Sequence, residues 1–258
     1  MASSSTGGTE PPAAAPGPPT ILGAGYVGRA LLARFPHADA THRQPTHVPR
    51  IHAFDLDQPR TWGNPPLAGR TVVWTFPAAP LECVRRFHGA HLRDAAGLIV
   101  LGSTSAYRLG DAGAVSAVTV DESAPLDLEQ PRVQGEEWLR AQGATVLQLA
   151  GIFGPGREPV DWLRRGRIKD GARLVNLVHV DDIVSVIAHL LVQPMPGQRL
   201  NVANGEPAAW RDLAAEWRRQ GKVPADLALP DSRADAFGKR VDVTRLRALL
   251  PGHRFRQP

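Results

Sequence analysis

The sequence predicts an α/β fold, a doubly wound and mainly parallel sheet with a small C-terminal substrate-binding region. Three observations predict it. Short apolar runs of strand character alternate with amphipathic runs of helical period between residues 20 and 192. The first strand-to-helix junction carries Gly23-x-Gly25-x-x-Gly28. GLIVLGS (97–103) and ATVLQLAGIF (144–153) are almost continuously apolar, as strands covered on both faces should be.

Residues 1–18 are rich in Ser, Gly, Pro and Ala without apolar periodicity, so a disordered tail is expected there. Residues 19–153 are assigned to the main sheet domain. Residues 154–258 are assigned to the end of that domain, including 174–192, interleaved with the substrate-binding region. From Thr20, ILGAG reads as a strand entering a turn, and YVGRALLARF as a helix burying Val27, Ala30, Leu31 and Leu32. Strands are expected at Ala38–Thr41, Ile51–Phe54 and 71–76 (TVVWTF), and a helix over Pro80–Arg93. Glu136–Gln142 belongs to another helix, 144–153 is a single buried strand, and 183–191 is helical. Further helical signal falls at 208–220 and 242–250.

Composition narrows the class. The 258 residues, 43% of them hydrophobic, can bury a sizeable core. No apolar run approaches the ~20 residues of a membrane helix, and no secretory signal is legible. The single cysteine, Cys83, leaves no internal disulfide, suits a reducing cytoplasm and reads as a small hydrophobe. A net charge of +5 raises the question of nucleic acid. The only lysines are Lys169, Lys222 and Lys239, and the arginines are dispersed among acids, as an Arg-, Ala- and Pro-heavy genome composition would give; a cofactor carrying several phosphates would also favour a basic protein.

In its strand–helix context the glycine motif is a Rossmann fingerprint. Gly23 makes the tight turn, Gly25 lets a pyrophosphate approach, and Gly28 lets the helix pack on the strand. The helix N-terminus at Tyr26 and Val27 offers free N–H groups to phosphate. An acid closing the second strand would bind the ribose of NAD. Here that strand ends in Thr41-His42-Arg43, and Asp39 comes too early, eleven residues after Gly28. A hydroxyl followed by an arginine suits a 2′-phosphate, which points to NADP, with NAD as the alternative. Asp55 after the third strand could bond the adenine, or simply form a turn. Phe76 and Pro77 would flank the cofactor at the strand ends.

Several segments in order, TILGAGYVGRALLARF, LIVLGSTSAYRLG, DESAP, LQLAGIFGPGR, NLVHVDDIVSVI and LNVANGEP, cover most of residues 20–206. By them the chain resembles the extended short-chain dehydrogenase/reductase superfamily, in its NAD-dependent epimerase/dehydratase group. The resemblance implies a Rossmann domain and a catalytic set of Ser/Thr with Tyr-x-x-x-Lys, in which the tyrosine is the acid/base. Ser103, with Thr104 beside it, matches the family's serine. No Tyr-x-x-x-Lys exists: Tyr26 and Tyr107 are followed four residues on by Ala30 and Asp111. Tyr107 matches the aromatic of the serine loop, and the region that should hold the pair offers only Arg132. His179 and Asp161 are conceivable substitutes, although loop anchoring is the better reading of His179.

Two readings stay open. One is an NADP-linked oxidoreductase or epimerase/dehydratase-like enzyme for a small carbonyl or hydroxyl substrate. The other is a non-catalytic NADP(H)-binding sensor or scaffold. Neither involves nucleic acid, membrane or metal, and a homodimer is compatible with both. His37, His42, His47 and His52 recur every five residues, a period of neither helix nor strand, with prolines between. His88 and His91 lack a third ligand. Gly-x-Ser-x-Gly and Walker patterns are absent. Trp162 and Trp210 fall in the substrate region, where packing is the expected role.

Overall fold

The structure, a computed structural model of the chain, describes residues 17–227, 229–230 and 233–258. The tail expected at residues 1–18 therefore lies outside the described residues as far as residue 16. The elements in order are β1 (Thr20–Leu22), α1 (Tyr26–Arg34), β2 (Asp39–His42), β3 (Ile51–Ala53), β4 (Thr71–Trp74), α2 (Leu81–Phe87), β5 (Gly97–Ser103), α3 (Gly110–Val115), β6 (Ala117–Val120), α4 (Pro131–Ala141), β7 (Thr145–Leu149) and β8 (Gly151–Phe153). They continue with α5 (Pro159–Arg164), β9 (Leu174–Val175), β10 (Leu177–His179), α6 (Val180–Val192), β11 (Arg199–Val202), β12 (Ala208–Ala209), α7 (Trp210–Arg219), β13 (Gly238–Val241) and α8 (Thr244–Leu249).

The central sheet has seven strands in the order β3-β2-β1-β4-β5-β7-β11. Every pairing in it is parallel. The order reverses at β1, so the crevice beside the C-terminal ends of β1 and β4 is the position where such sheets take ligands. The period of two along each strand sorts side chains between two cores. Ile21, Val73, Ile99 and Leu147 enter one with α1 and α6. Leu22, Val72, Trp74, Val100 and Val146 enter the other with Phe87 of α2 and Leu139 of α4. In α1, Val27 and Leu31 are buried, while Ala30 and Leu32 lie at the edge of the core. The expected helix over Pro80–Arg93 is α2 followed by a wider π-helical turn, His88–Leu92.

One expectation is corrected. Residues 144–153 are not one strand: β7 belongs to the central sheet and β8 pairs with β10. The partner runs out. Ala150 donates to the O of Val202, the last residue of β11, and Gly151 donates instead to the O of Asn176. A Cβ on Gly151 would sit 3.2 Å from that oxygen, so glycine permits the switch.

Buried polar side chains tie the C-terminal segments to the sheet. Asn201 of β11 accepts from the Tyr107 hydroxyl at 2.5 Å and donates to the O of Asp242 at 3.1 Å. Asn176 grips β13 from both sides, donating to Lys239 O and accepting from Val241 N, each at 2.9 Å. Asp182 of α6, fully buried, accepts from Arg256 N (2.8 Å), Arg256 Nη1 (3.0 Å) and the His253 ring (3.0 Å). Among the described residues no helix is long and apolar enough to cross a membrane.

Because Asp182 holds the last residues through charge-assisted bonds, Asp182→Ala should lower the unfolding free energy by about 3 kcal/mol. A urea titration checks this, and the tail after Leu250 should become sensitive to carboxypeptidase.

Candidate functional site

The β1–α1 turn is built on Gly23, whose φ of +103° is open to glycine at no cost. Its N–H donates to Thr41 Oγ1 at 2.9 Å, and Thr75 Oγ1 lies 2.7 Å from its carbonyl as donor. A Cβ on Gly28 would stand 2.0 Å from that carbonyl, so α1 can close on the turn only with glycine there. A Cβ on Gly25 would meet nothing within 4 Å. Gly25 caps α1 without a side-chain bond, and the first helical bond runs from Arg29 N to Gly25 O at 2.9 Å. The N–H groups of Tyr26, Val27 and Gly28 therefore precede the helical ladder. The three glycines divide the work as the motif expects: turn, open approach, close packing.

Gly25 fronts a cleft of about 410 Å³ that also brings together Gly23, Thr41, Arg43, Asp55, Phe76 and Pro77. All these positions were singled out from the sequence. Thr41 plays a different part from the one expected: it is buried, and its oxygen holds the Gly23 turn. Arg43 is an exposed cation beside the cleft, with a side chain 76% exposed and Nε 3.7 Å from Asp55 Oδ2. The Asp55 carboxylate closes its own turn, accepting from Asp57 N at 3.1 Å. Asp39 begins β2 and binds Arg70 at 2.9 Å, at the opposite end of the strands. Tyr26 faces a second hollow of about 590 Å³ beside Arg29, Pro155 and Asp181. Its hydroxyl donates to Pro155 O at 3.2 Å, under the Arg157 guanidinium.

A second cluster forms where β5 ends. Ser103 Oγ caps a 3-10 turn, Thr104–Ala106, accepting from Ser105 N at 3.2 Å. Arg132 on α4 donates to Ser105 Oγ at 2.9 Å and lies 3.7 Å from Glu136, a buried carboxyl whose pKa burial pushes up. Gly102 makes room for Glu136, since a Cβ there would be 2.7 Å from Oε2. Thr104 is buried, and its carbonyl accepts from Lys239 Nζ at 2.7 Å. Burial, with Arg173 and Arg132 nearby, lowers Lys239 to about 8. Sequence reasoning singled out neither Lys239 nor Thr75. Lys239 lies 135 residues from Thr104, and no local motif marks it.

The remaining candidates fall elsewhere. Tyr107 is buried against Asn201, and burial pushes its phenol above the usual range. The His179 Nδ1 accepts from Asp181 N at 3.1 Å, capping α6, and its ring stands edge-on to Phe153. That is the anchoring role. Asp161 pairs with Arg164 at 3.1 Å on the rim of a C-terminal pocket of about 530 Å³. Trp162, Trp210 and Phe237 wall this pocket, with Arg157, Arg165, Arg167, Lys169 and Arg173 around them. Trp210 also packs in the small core of α5 and α7. Among the described residues no three or more His, Cys, Asp or Glu side chains are grouped to hold a metal ion.

No protein-family model matches the chain. It is 34% identical over 153 residues to Protein YeeZ of Escherichia coli (strain K12), a match covering 58% of this chain and 54% of that protein. The chain thus spans about half the length of the curated relatives it matches. A solved, functionally unknown conserved protein from Silicibacter pomeroyi is similar with a TM-score of 0.70 and 25% identity, covering 93% of each chain. A short-chain dehydrogenase/reductase superfamily protein from Agrobacterium tumefaciens with bound NAD superposes with a TM-score of 0.73 at 15% identity, covering 93% of this chain and 92% of that one. The resemblance read from the sequence therefore holds at the level of fold: the chain has a Rossmann fold similar to that of solved NAD-binding and short-chain dehydrogenase/reductase proteins.

The second and third glycines of the motif should separate in experiment. Gly28→Ala should destabilise the protein by about 3 kcal/mol, because the new methyl meets backbone. Gly25→Ala should change stability by less than about 0.5 kcal/mol yet weaken dinucleotide binding at least tenfold. Denaturant melts and a dinucleotide titration of both variants check this.

Proposed function

We propose that this chain, with the fold of the extended short-chain dehydrogenase/reductase proteins, is an atypical NADP-linked enzyme. It acts as an oxidoreductase or in an epimerase/dehydratase-like reaction on a small carbonyl or hydroxyl substrate. The observation that carries the reading is that two features fall at the C-terminal ends of the neighbouring parallel strands β1, β4 and β5. One is an open glycine turn with Arg43, Asp55, Phe76 and Pro77 around its cleft. The other is the Ser103 turn, which ends β5. Gly25 and the N–H groups of Tyr26, Val27 and Gly28 suit a pyrophosphate. Ser103 and Thr104 belong to the nicotinamide end, where the bound cofactor would supply or accept a hydride. Ser103 Oγ, already polarised by its turn, is the group to bond a substrate oxygen.

Three features support NADP over NAD. No carboxylate closes β2, Asp39 is engaged at the far end, and Arg43, exposed on the rim of the cleft, suits a 2′-phosphate. The basic C-terminal pocket is the proposed substrate side. One observation favours the second reading, a binder that senses or scaffolds without turnover. Both tyrosines are committed elsewhere, Tyr107 to Asn201 and Tyr26 to Pro155. A cytoplasmic setting and self-association as a homodimer complete the proposal.

NADPH should raise the melting temperature more than NADH does. Arg43→Ala should cost NADPH about tenfold or more in affinity and leave NADH unchanged. If neither dinucleotide stabilises the protein, the reading is wrong. Ser103→Ala should leave NADPH affinity intact; in an enzyme it abolishes carbonyl reduction, and in a sensor there is no turnover to lose.

A further inference from the structure

The NADP-linked reading leaves the proton without an owner, since no tyrosine stands beside Ser103. We propose that Lys239 is the acid/base residue of this site, giving a proton from Nζ to the substrate oxygen during carbonyl reduction and taking it back in the reverse direction. The inference rests on that reading and adds to it the residue that does the proton transfer.

Position is the first argument. Lys239 is held in β13 by two bonds from the Asn176 amide, to its own carbonyl and from Val241 N, so its backbone cannot drift. From there Nζ reaches Thr104 O at 2.7 Å, the residue directly after Ser103. Arg132 braces the same turn from α4. An ammonium has three donors. Thr104 O takes one, and the other two have no protein partner among the described residues.

The surroundings are the second argument. Lys239 is half-buried, and a lysine withdrawn from water is normally paired with a carboxylate. The charged groups that bear on Lys239 are Arg173, just before β9, and Arg132 on α4. Its neighbour strand β6, Ala-Val-Thr-Val, has no ionisable side chain. A lysine used only as a structural tie would be stabilised by an acid, and here two cations make it costly. The same environment brings its pKa to about 8, where it can both give and accept a proton near neutrality.

The proton balance is simple. One hydride from the reduced nicotinamide dinucleotide and one proton from Lys239 Nζ convert C=O to CH–OH. The bond between Nζ and that hydrogen breaks, its electron pair stays on nitrogen, and the neutral amine regains a proton from water.

With only three lysines in the chain, competitive acetylation by acetic anhydride, read by peptide mass spectrometry on unaltered protein, tests this directly. Relative to Lys169 and Lys222, Lys239 should gain reactivity through a midpoint near pH 8. Saturating NADPH should slow its acetylation several-fold. A midpoint near the ordinary lysine value of about 10.4, or no acetylation at any pH, overturns the proposal. So does an acetylation rate unmoved by NADPH while NADPH still raises the melting temperature. If NADPH does not raise the melting temperature, the underlying reading fails and Lys239 falls with it.

Discussion

The structure turns on the carbonyl and N–H of one residue, Gly23. Thr41 of β2 takes its N–H, Thr75 after β4 holds its carbonyl, and the bare Cα of Gly28 lets α1 close against it. Three strands and a helix are thereby locked at the point where the sheet order reverses. The lock fixes the direction of α1, and with it the unpaired N–H groups at its start. The space over Gly25 stays open in the same geometry, since a Cβ there would meet nothing within 4 Å. The openness that a phosphate would need is thus a consequence of packing as much as of a motif.

The C-terminal end of β5 is governed by buried polar bonds. The Ser103 turn is braced by Arg132, and Arg132 stands over the buried Glu136, which Gln148 of β7 also touches. Asn201, Asn176 and Asp182 then fasten the C-terminal third to the sheet. Groups this deeply buried cost stability unless they are bonded. The bonding of Asn176, Asn201 and Asp182 explains how short strands such as β9 and β13, in two-stranded sheets, hold a defined position. That fixed frame is what allows Lys239 to reach a site built mostly from the N-terminal half.

Much of this was legible in the sequence because it is local. The strand–turn–helix of residues 20–34 is carried by glycine spacing, and β4 and β5 by apolar runs; all three emerge within a residue or two of expectation. The cleft residues Arg43, Asp55, Phe76 and Pro77 each follow a strand, so strand ends alone marked them. The rest depends on pairing at long range. The break between β7 and β8 reflects where β11 ends, which residues 144–153 do not encode. The Thr41 bond to Gly23 could not be read from its own strand, since it needs two strands side by side. Lys239 carries no local signal, and only the β13–β6 pairing and the Asn176 clamp bring it to the Thr104 carbonyl.

The central claim is that one crevice runs from Arg43, over Gly25, to the Ser103 turn and receives a dinucleotide along its length. A crystal structure of the chain grown with NADPH tests it most directly. The account predicts the pyrophosphate on the N–H groups at the start of α1, the 2′-phosphate against Arg43, and the nicotinamide beside Ser103 and Lys239. A dinucleotide seated anywhere else, or bound with its adenosine at the Ser103 end, would contradict it.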